Sequence, residues 1–472
     1  MTIFVNWTKN KLNNNIHKNR MSNKIVLKRG LDLPVSGKAE CRIAKTVSPD
    51  VVAVCPADFN GIVPRLLVKE GDSVSCGSPV LADKKHPEIL VASPVSGTVK
   101  EIVRGEKRKL LAVLVTPGEK QEKLDFGVKS PESLDATQIK AAILESGLWP
   151  FIIQRPYGIV ANPADTPKAV FVSAFDTAPL AASPEFTLGD RISDIQTGID
   201  ALAKLTGGGV HIGLNAANCA STPFHKLDNV ITHVFEGKHP AGNVGVQISH
   251  VCPVTKGSLV WTVSLLGLAA IGALFNTGSY DVRRKVAVCG PLAIEPAYVD
   301  TLPGAPMSSL AGFIGNSEGV RVVSGNILSG TTVGSEGYLG FYDNTVTILK
   351  EGTEEELLGW INPLRLKLFS NDMSYFSWLT PKKKYDMDTN LHGGPRAFVM
   401  SDGYYAKVLP MDIYPVYLLK ACLAGDIDKM EKFGIYEVIP EDLAVCEFID
   451  PSKNDIQQII ANGIRLMLKE ME

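Results

Sequence analysis

The feature that most constrains the fold of this 472-residue chain is an approximate internal repeat near its start. The stretch Gly61-Ile62-Val63-Pro64-Arg65-Leu66-Leu67-Val68-Lys69-Glu70-Gly71-Asp72 is echoed by Gly97-Thr98-Val99-Lys100-Glu101-Ile102-Val103-Arg104-Gly105. Each copy opens on a turn glycine, runs through a short apolar strand and stops at a second glycine. One such unit cannot bury its own apolar face. Two interlocked units can, by closing on each other as a small flattened β-barrel.

The end of the first copy, Glu70-Gly71-Asp72-Ser73-Val74-Ser75-Cys76-Gly77, resembles the hallmark of the biotinyl/lipoyl-type barrel-sandwich fold. A carrier of that fold displays its lysine at the tip of the hairpin between the halves, where this chain has Asp83-Lys84-Lys85. His86-Pro87 follows at once, where a carrier needs a regular strand, and the biotin signature Met-Lys-Met is missing. Lys84 and Lys85 therefore read as solvated turn lysines, with no covalent biotin or lipoate; fold alone does not confer carrier function.

Composition narrows the class. The chain is 45% hydrophobic and 21% charged, and its mean hydropathy of +0.08 excludes both a polytopic membrane protein and a disordered chain. A net charge of −2 argues against a nucleic-acid binder, which carries a basic excess. No charged residue occurs between Gly257 and Tyr280, and the mostly apolar run from Leu259 to Phe275 approaches the length of a spanning helix. Thr262, Ser264, Gly267 and Gly272 interrupt it, so a buried helix is expected. The eight cysteines include no CxxC pair, which disfavours a zinc ribbon or local iron–sulfur cluster and suits reduced thiols in a cytoplasmic protein.

The expected organisation is a multi-domain α/β chain. Residues 1–21, with four cationic residues and no acid up to Met21, read as a disordered extension. Residues 22–125 form the barrel-sandwich domain. Residues 126–282 alternate helical and strand signals: a helix over 133–146, strands at Val170–Val172 and Val210–Leu214, and a helical period through Ile192, Ile195, Ile199 and Leu202 between them. Helices between strands imply a parallel, Rossmann-like layer. Residues 283–350 suit a β-grasp module with strands at Val286–Val288 and Val320–Ser324, and 351–472 are mainly helical, ending in a helix with Ile456, Ile459, Ile460, Ile464 and Met467 on one face.

The chemistry-bearing motifs are sparse. Gly207-Gly208-Gly209 lies after a helix and before a strand, the reverse of the dinucleotide fingerprint, so it reads as an αβ turn. Five of the eight histidines fall between 211 and 250 without a metal-binding spacing, so no metal site is expected. No nucleophile elbow, phosphate loop or paired-carboxylate signature stands out, and no catalytic residue is assigned.

Longer motifs carry more. Gly30-Leu31-Asp32-Leu33-Pro34-Val35-Ser36-Gly37, Gln154-Arg155-Pro156-Tyr157, Phe175-Asp176-Thr177-Ala178-Pro179-Leu180, Phe235-Glu236-Gly237-Lys238-His239-Pro240-Ala241-Gly242, Arg321 to Gly330 and Glu447 to Lys453 resemble, in order, the A subunit of the bacterial sodium-translocating NADH:quinone reductase. The resemblance covers nearly everything after Met21. It implies a peripheral subunit on the cytoplasmic side of the inner membrane, in a six-subunit complex that oxidises NADH, reduces ubiquinone or menaquinone and exports Na⁺. It also implies an architecture like the complex I flavoprotein subunit, with a β-grasp module of the SLBB type. Flavins (FAD, FMN, riboflavin) and iron centres are then expected in the partner subunits, and none in this chain. Its redox-active cousins carry a C-x-x-C-x-x-C cluster motif near the C-terminus, where Cys446 here stands alone. For quinone contact the expected residues are His233, His239 and His250.

Overall fold

The computed structural model describes residues 24–315, 318–353, 367–371, 374–391 and 400–470; the extension expected over 1–21 lies outside them. The two repeats interlock through their own motif. Glu70 Oε1 accepts from the Ile102 N–H at 2.9 Å, the Gly71 N–H donates to the Val99 carbonyl at 2.8 Å, and the Val99 N–H donates to the Asp72 carbonyl at 2.9 Å. The second copy must open on glycine, because a Cβ at Gly97 would lie 2.0 Å from the Thr116 oxygen. Val52–Val54, Leu110–Pro117, Gly97–Arg104 and Ser73–Val74 make one sheet; Pro64–Leu66, Pro79–Asp83 and Leu90–Ala92 make the other. Val52, Val80, Val91, Val99, Val113 and Val115 are buried in their shared core.

The two strands that precede the barrel pair elsewhere, although the sequence grouping of 22–125 placed them in it. Ile25–Val26 runs parallel to Val230–Glu236 at the rim of a seven-stranded sheet, and Glu40–Thr46 runs parallel to Ala297–Thr301 at the rim of a six-stranded one. Both are edge strands, and an edge strand's own sequence does not encode which rim it joins.

The seven-stranded sheet is built on four parallel strands. In chain order they are Val170–Ser173, Val210–Asn215, Val230–Glu236 and Val260–Thr262, and across the sheet they lie third, second, first, fourth. Ile153–Arg155 and Ile159–Val160 extend it antiparallel. Side chains alternate across it. Val170, Val172, Ile212 and Leu214 pack on the helices Ile192–Ala203 and Leu265–Thr277, while Phe171 packs on Ile248 and Val254 on the opposite face.

The long apolar run resolves into the strand Val260–Thr262 and the helix Leu265–Thr277, whose residues 265–275 are all buried. Ser264 caps it by accepting from the Gly267 N–H, and Gly278 ends it in the left-handed conformation. The glycine that dilutes the run is a contact point: a Cβ on Gly272 would lie 1.7 Å from the Asp194 carbonyl oxygen, and one on Gly198 2.3 Å from that of Leu268. Among the described residues no helix is long and apolar enough to cross a membrane.

The six-stranded sheet runs Thr331–Thr332, Val320–Ser324, Thr345–Lys350, Arg284–Cys289, Ala297–Thr301, Glu40–Thr46. Val286, Val288, Val322, Val346 and Ile348 bury one face against Met307 and Leu310. Among the described residues, five helices follow between Asp402 and Glu470. In the last of them, Ile456–Glu470, Ile456, Ile460, Ile464 and Met467 are buried and Ile459 is partly so.

Candidate functional site

The C-terminal ends of the parallel strands decide where the site sits. The first and fourth strands in chain order lie side by side, where the strand order reverses, and such a reversal places a crevice beyond the carboxyl ends. A cleft of about 460 Å³ occupies that place. After the first strand come Phe175 and Asp176; after the fourth come Val263 and Ser264; Asn243 begins the helix Val244–Val251 beside them. The six-stranded sheet's loops add Asn326, Leu328 and Tyr342, the barrel adds Asp58 and Asn60, and the turn before Ala444–Ile449 adds Ile439 and Glu441. The barrel, both larger sheets and the helical region therefore meet at one cavity lined by aromatic and apolar side chains and by a comparable share of polar ones, in the size range of small-molecule sites.

The polar groups are held firmly. Arg155 ends an antiparallel strand with its side chain only 3% exposed; its Nη1 donates to Asp442 Oδ2 at 2.7 Å, and its Nη2 lies 3.6 Å from Glu441 Oε1. Arg155 Nε and Asp442 Oδ1 are both buried without a hydrogen-bond partner. Loss of solvation raises the Glu441 carboxyl above the usual range; Asp442 and Asp176 push the same way, against the pull of Arg155. Loss of solvation also raises Asp176 and takes Asp58 up to about 6. His239 is buried, which holds its imidazole down to about 4 and hence neutral near pH 7. Its Nδ1 sits 3.1 Å from Thr177 Oγ1, which accepts from the Gly242 N–H at 2.9 Å; the His239 N–H in turn donates to Asp32 Oδ1 at 2.9 Å.

The three histidines expected at a quinone contact do not converge. His239 lines the cleft. His233 stacks on His211, with centroids 5.1 Å apart and Nε2 2.9 Å from His211 Nδ1, inside the sheet rather than at its carboxyl edge. His250 lies on the helix Val244–Val251, where its Nδ1 meets the Val246 carbonyl. Spacing alone separated none of them, because alternate residues of a strand face opposite sides and His239 lies beyond the strand.

Sequence reasoning assigned no role to Arg155, Asp176, Glu441 or Asp442. A signal existed for two: Arg155 and Asp176 lie in motifs 154–157 and 175–180, and those motifs meet 235–242 and 321–330 around the cleft. Pro440-Glu441-Asp442 carried no motif. The glycine run 207–209 connects Ile192–Ala203 to Val210–Asn215, away from the cleft lining. Among the described residues no group of three or more His, Cys, Asp or Glu is placed to hold a metal ion. All eight cysteines are unpaired thiols, with Cys422 and Cys446 buried.

Comparison with known proteins agrees along the length of the chain. Residues 25–117 match the family model of the NqrA N-terminal barrel-sandwich hybrid domain, 134–280 the NqrA second alpha/beta domain and 285–335 the NQRA C-terminal domain, which is of the SLBB type. The A subunit of the Na(+)-translocating NADH-quinone reductase of Serratia proteamaculans is 38% identical over 454 residues, covering 94% of this chain and 100% of that protein. The corresponding protein of Rhodopirellula baltica is 36% identical over 450 residues, covering 94% and 98%. Among solved structures, an NAD⁺-reducing NiFe-hydrogenase in the air-oxidised state aligns over 72% of this chain and 62% of its own, at 13% identity and a TM-score of 0.37. With more than a third of its residues shared over nearly the full length of these relatives, the chain belongs to the NqrA family, the A subunits of the Na(+)-translocating NADH-quinone reductase.

Proposed function

We propose that the chain is a peripheral subunit of a respiratory complex that couples NADH oxidation and quinone reduction to Na⁺ export, seated on the cytoplasmic side of the bacterial inner membrane. It contributes quinone contact and assembly and carries no redox centre of its own; flavins and iron belong to the other five subunits. The observation that carries this reading is the cleft. Phe151, Phe175 and Tyr342 supply aromatic walls, and His239 supplies a neutral ring nitrogen at its edge. That combination suits an amphipathic ring such as ubiquinone or menaquinone. Of the three histidines, the proposal keeps His239.

The division into barrel-sandwich, Rossmann-like, β-grasp and helical regions is part of the same proposal, as is kinship of the α/β layer with the complex I flavoprotein subunit. The strand order supports it, since third-second-first-fourth matches four of the six strands of the dinucleotide-binding arrangement. Extraction of native membranes in mild detergent tests the assignment: the chain is expected to co-purify with integral-membrane partners. A chain found wholly free in the cytosol, or one carrying stoichiometric flavin absorbance after purification alone, would overturn it. The alternative is a free-standing barrel-sandwich carrier or interaction protein, and as a carrier it requires an adduct on Lys84 or Lys85.

A further inference from the structure

One guanidinium faces two carboxyl groups at the wall of the cleft, and the geometry says which one it serves. Asp442 has no exposed surface and takes Arg155 Nη1 at 2.7 Å, whereas Glu441 lies 3.6 Å from Nη2 and is 42% exposed. Glu441 lines the cavity. Asp442 is fixed further by accepting from the Ile439 N–H at 3.0 Å, and Gly245 lets it sit there, since a Cβ at Gly245 would lie 2.4 Å from Asp442 Oδ1. Arg155 itself lines the cleft, nearly fully buried and with Nε unpartnered. Its charge is neutralised by Asp442, so nothing on this wall compensates a second anion.

The charged groups facing Glu441 are Asp442 from its own turn, Arg155 from the strand Ile153–Arg155 and Asp176 from the loop after Val170–Ser173. Asp58 and His239 are further titratable groups of the same lining. Together they make the cleft hostile to phosphate and receptive to an uncharged acceptor, because a protonated carboxyl donates one O–H. We propose that Glu441 is the ligand-binding carboxyl of the cleft, donating its O–H to a carbonyl oxygen of an uncharged ring while the Arg155–Asp442 pair holds it in place, so that the cleft accepts quinone-type rings and rejects phosphorylated cofactors. This rests on the reading that the cleft receives a quinone. The hydrogen bond forms in one protonation state only, so binding weakens once Glu441 ionises.

The test uses the intact membrane complex and a short-chain ubiquinone. In wild type the quinone KM is expected to rise as pH passes through the ionisation of Glu441 and to level off about tenfold higher, as the donor proton is lost. Glu441→Gln keeps an N–H donor and removes the titration, so its KM is expected to stay low and flat between about pH 6 and pH 9. Glu441→Ala is expected to raise KM about tenfold at low pH with kcat little changed. A photoreactive azidoquinone, displaced by the same ubiquinone, reads occupancy directly. No label on peptides 170–180 or 236–244 overturns the cleft as a quinone site. Label there, with KM equally indifferent to pH and to Glu441→Gln, overturns the role of Glu441 alone. Should Glu441→Ala fail to fold, the wild-type and Glu441→Gln pH profiles decide by themselves.

Discussion

Arg155 and Asp442, separated by 287 positions in sequence, form a buried ion pair of 2.7 Å that ties the α/β sheet to the turn before the helix Ala444–Ile449. Neither side chain reaches bulk water, so the desolvation of each is offset chiefly by the other. Removing one partner strands a charge in the interior. Arg155→Ala or Asp442→Ala is expected to cost about 3–5 kcal/mol in denaturant unfolding. Arg155→Met combined with Asp442→Leu is expected to recover a large share of that loss. A double variant as damaged as the singles added together would sink the idea that stranded charge causes the effect.

His239 makes stability depend on pH in a definite direction. Its native imidazole is held down to about 4, below the unfolded value of about 6.5, so the unfolded chain binds a proton that the native state refuses. Its contribution is whole above about pH 6.5 and is lost as pH falls toward 4, by up to about 3 kcal/mol. Asp58 and Glu441, held up by burial, act in the opposite sense, which makes the comparison with a variant more telling than the raw slope. His239→Gln is expected to flatten the acid limb of the urea midpoint between about pH 7 and pH 5. An unchanged limb would argue against a buried neutral imidazole.

The crossing of Ile192–Ala203 with Leu265–Thr277 runs through Gly198 and Gly272. Alanine is the better helix former by nearly 1 kcal/mol, yet there is no room for its methyl group. Gly272→Ala is expected to lower stability by about 2–3 kcal/mol or more, because the two helix backbones must separate. Gly207→Ala, where a Cβ meets nothing within 4 Å, serves as the neutral control. Equal melting temperatures for the two variants would contradict the packing account.

Lys84 and Lys85 are exposed in the turn after Pro79–Asp83. The buried Asp83 carboxylate anchors that turn, accepting from the Val63 N–H at 2.8 Å and the His86 N–H at 3.2 Å. The intact mass of the protein from its native host is expected to equal that of the unmodified chain. Asp83→Ala is expected to lose about 1–3 kcal/mol, through the buried amide of the turn, and to leave the mass unchanged. A lipoyl or biotinyl increment would revive the carrier reading.

Local patterns were readable wherever local forces decide. The repeat forecast the interlock of Glu70 with Ile102, and the 3.6-residue period of Ile195, Ile199 and Leu202 forecast a helix over 192–203. The interrupted run from Leu259 was readable as buried because its glycines and Ser264 mark turns and contacts. What sequence left hidden was long-range. Cleft residues Arg155, Asp176, His239 and Glu441 come from four separate segments, and only the strand order brings them together. His233 and His250 stood closer in number to His239 than any of these, yet the strand and helix that bear them keep them out of the cleft lining.

The two rim strands at Ile25–Val26 and Glu40–Thr46 also set a timetable. They leave the ribosome before anything they pair with exists, since their partners end at Glu236 and Thr301. The barrel between Val52 and Pro117 finds all of its sheet partners within its own span and can close during synthesis. The first segment has to wait as unpaired backbone through some two hundred further residues before either partner strand is complete. Its docking joins residues 25–46 to two sheets, neither of which is the barrel that directly follows it.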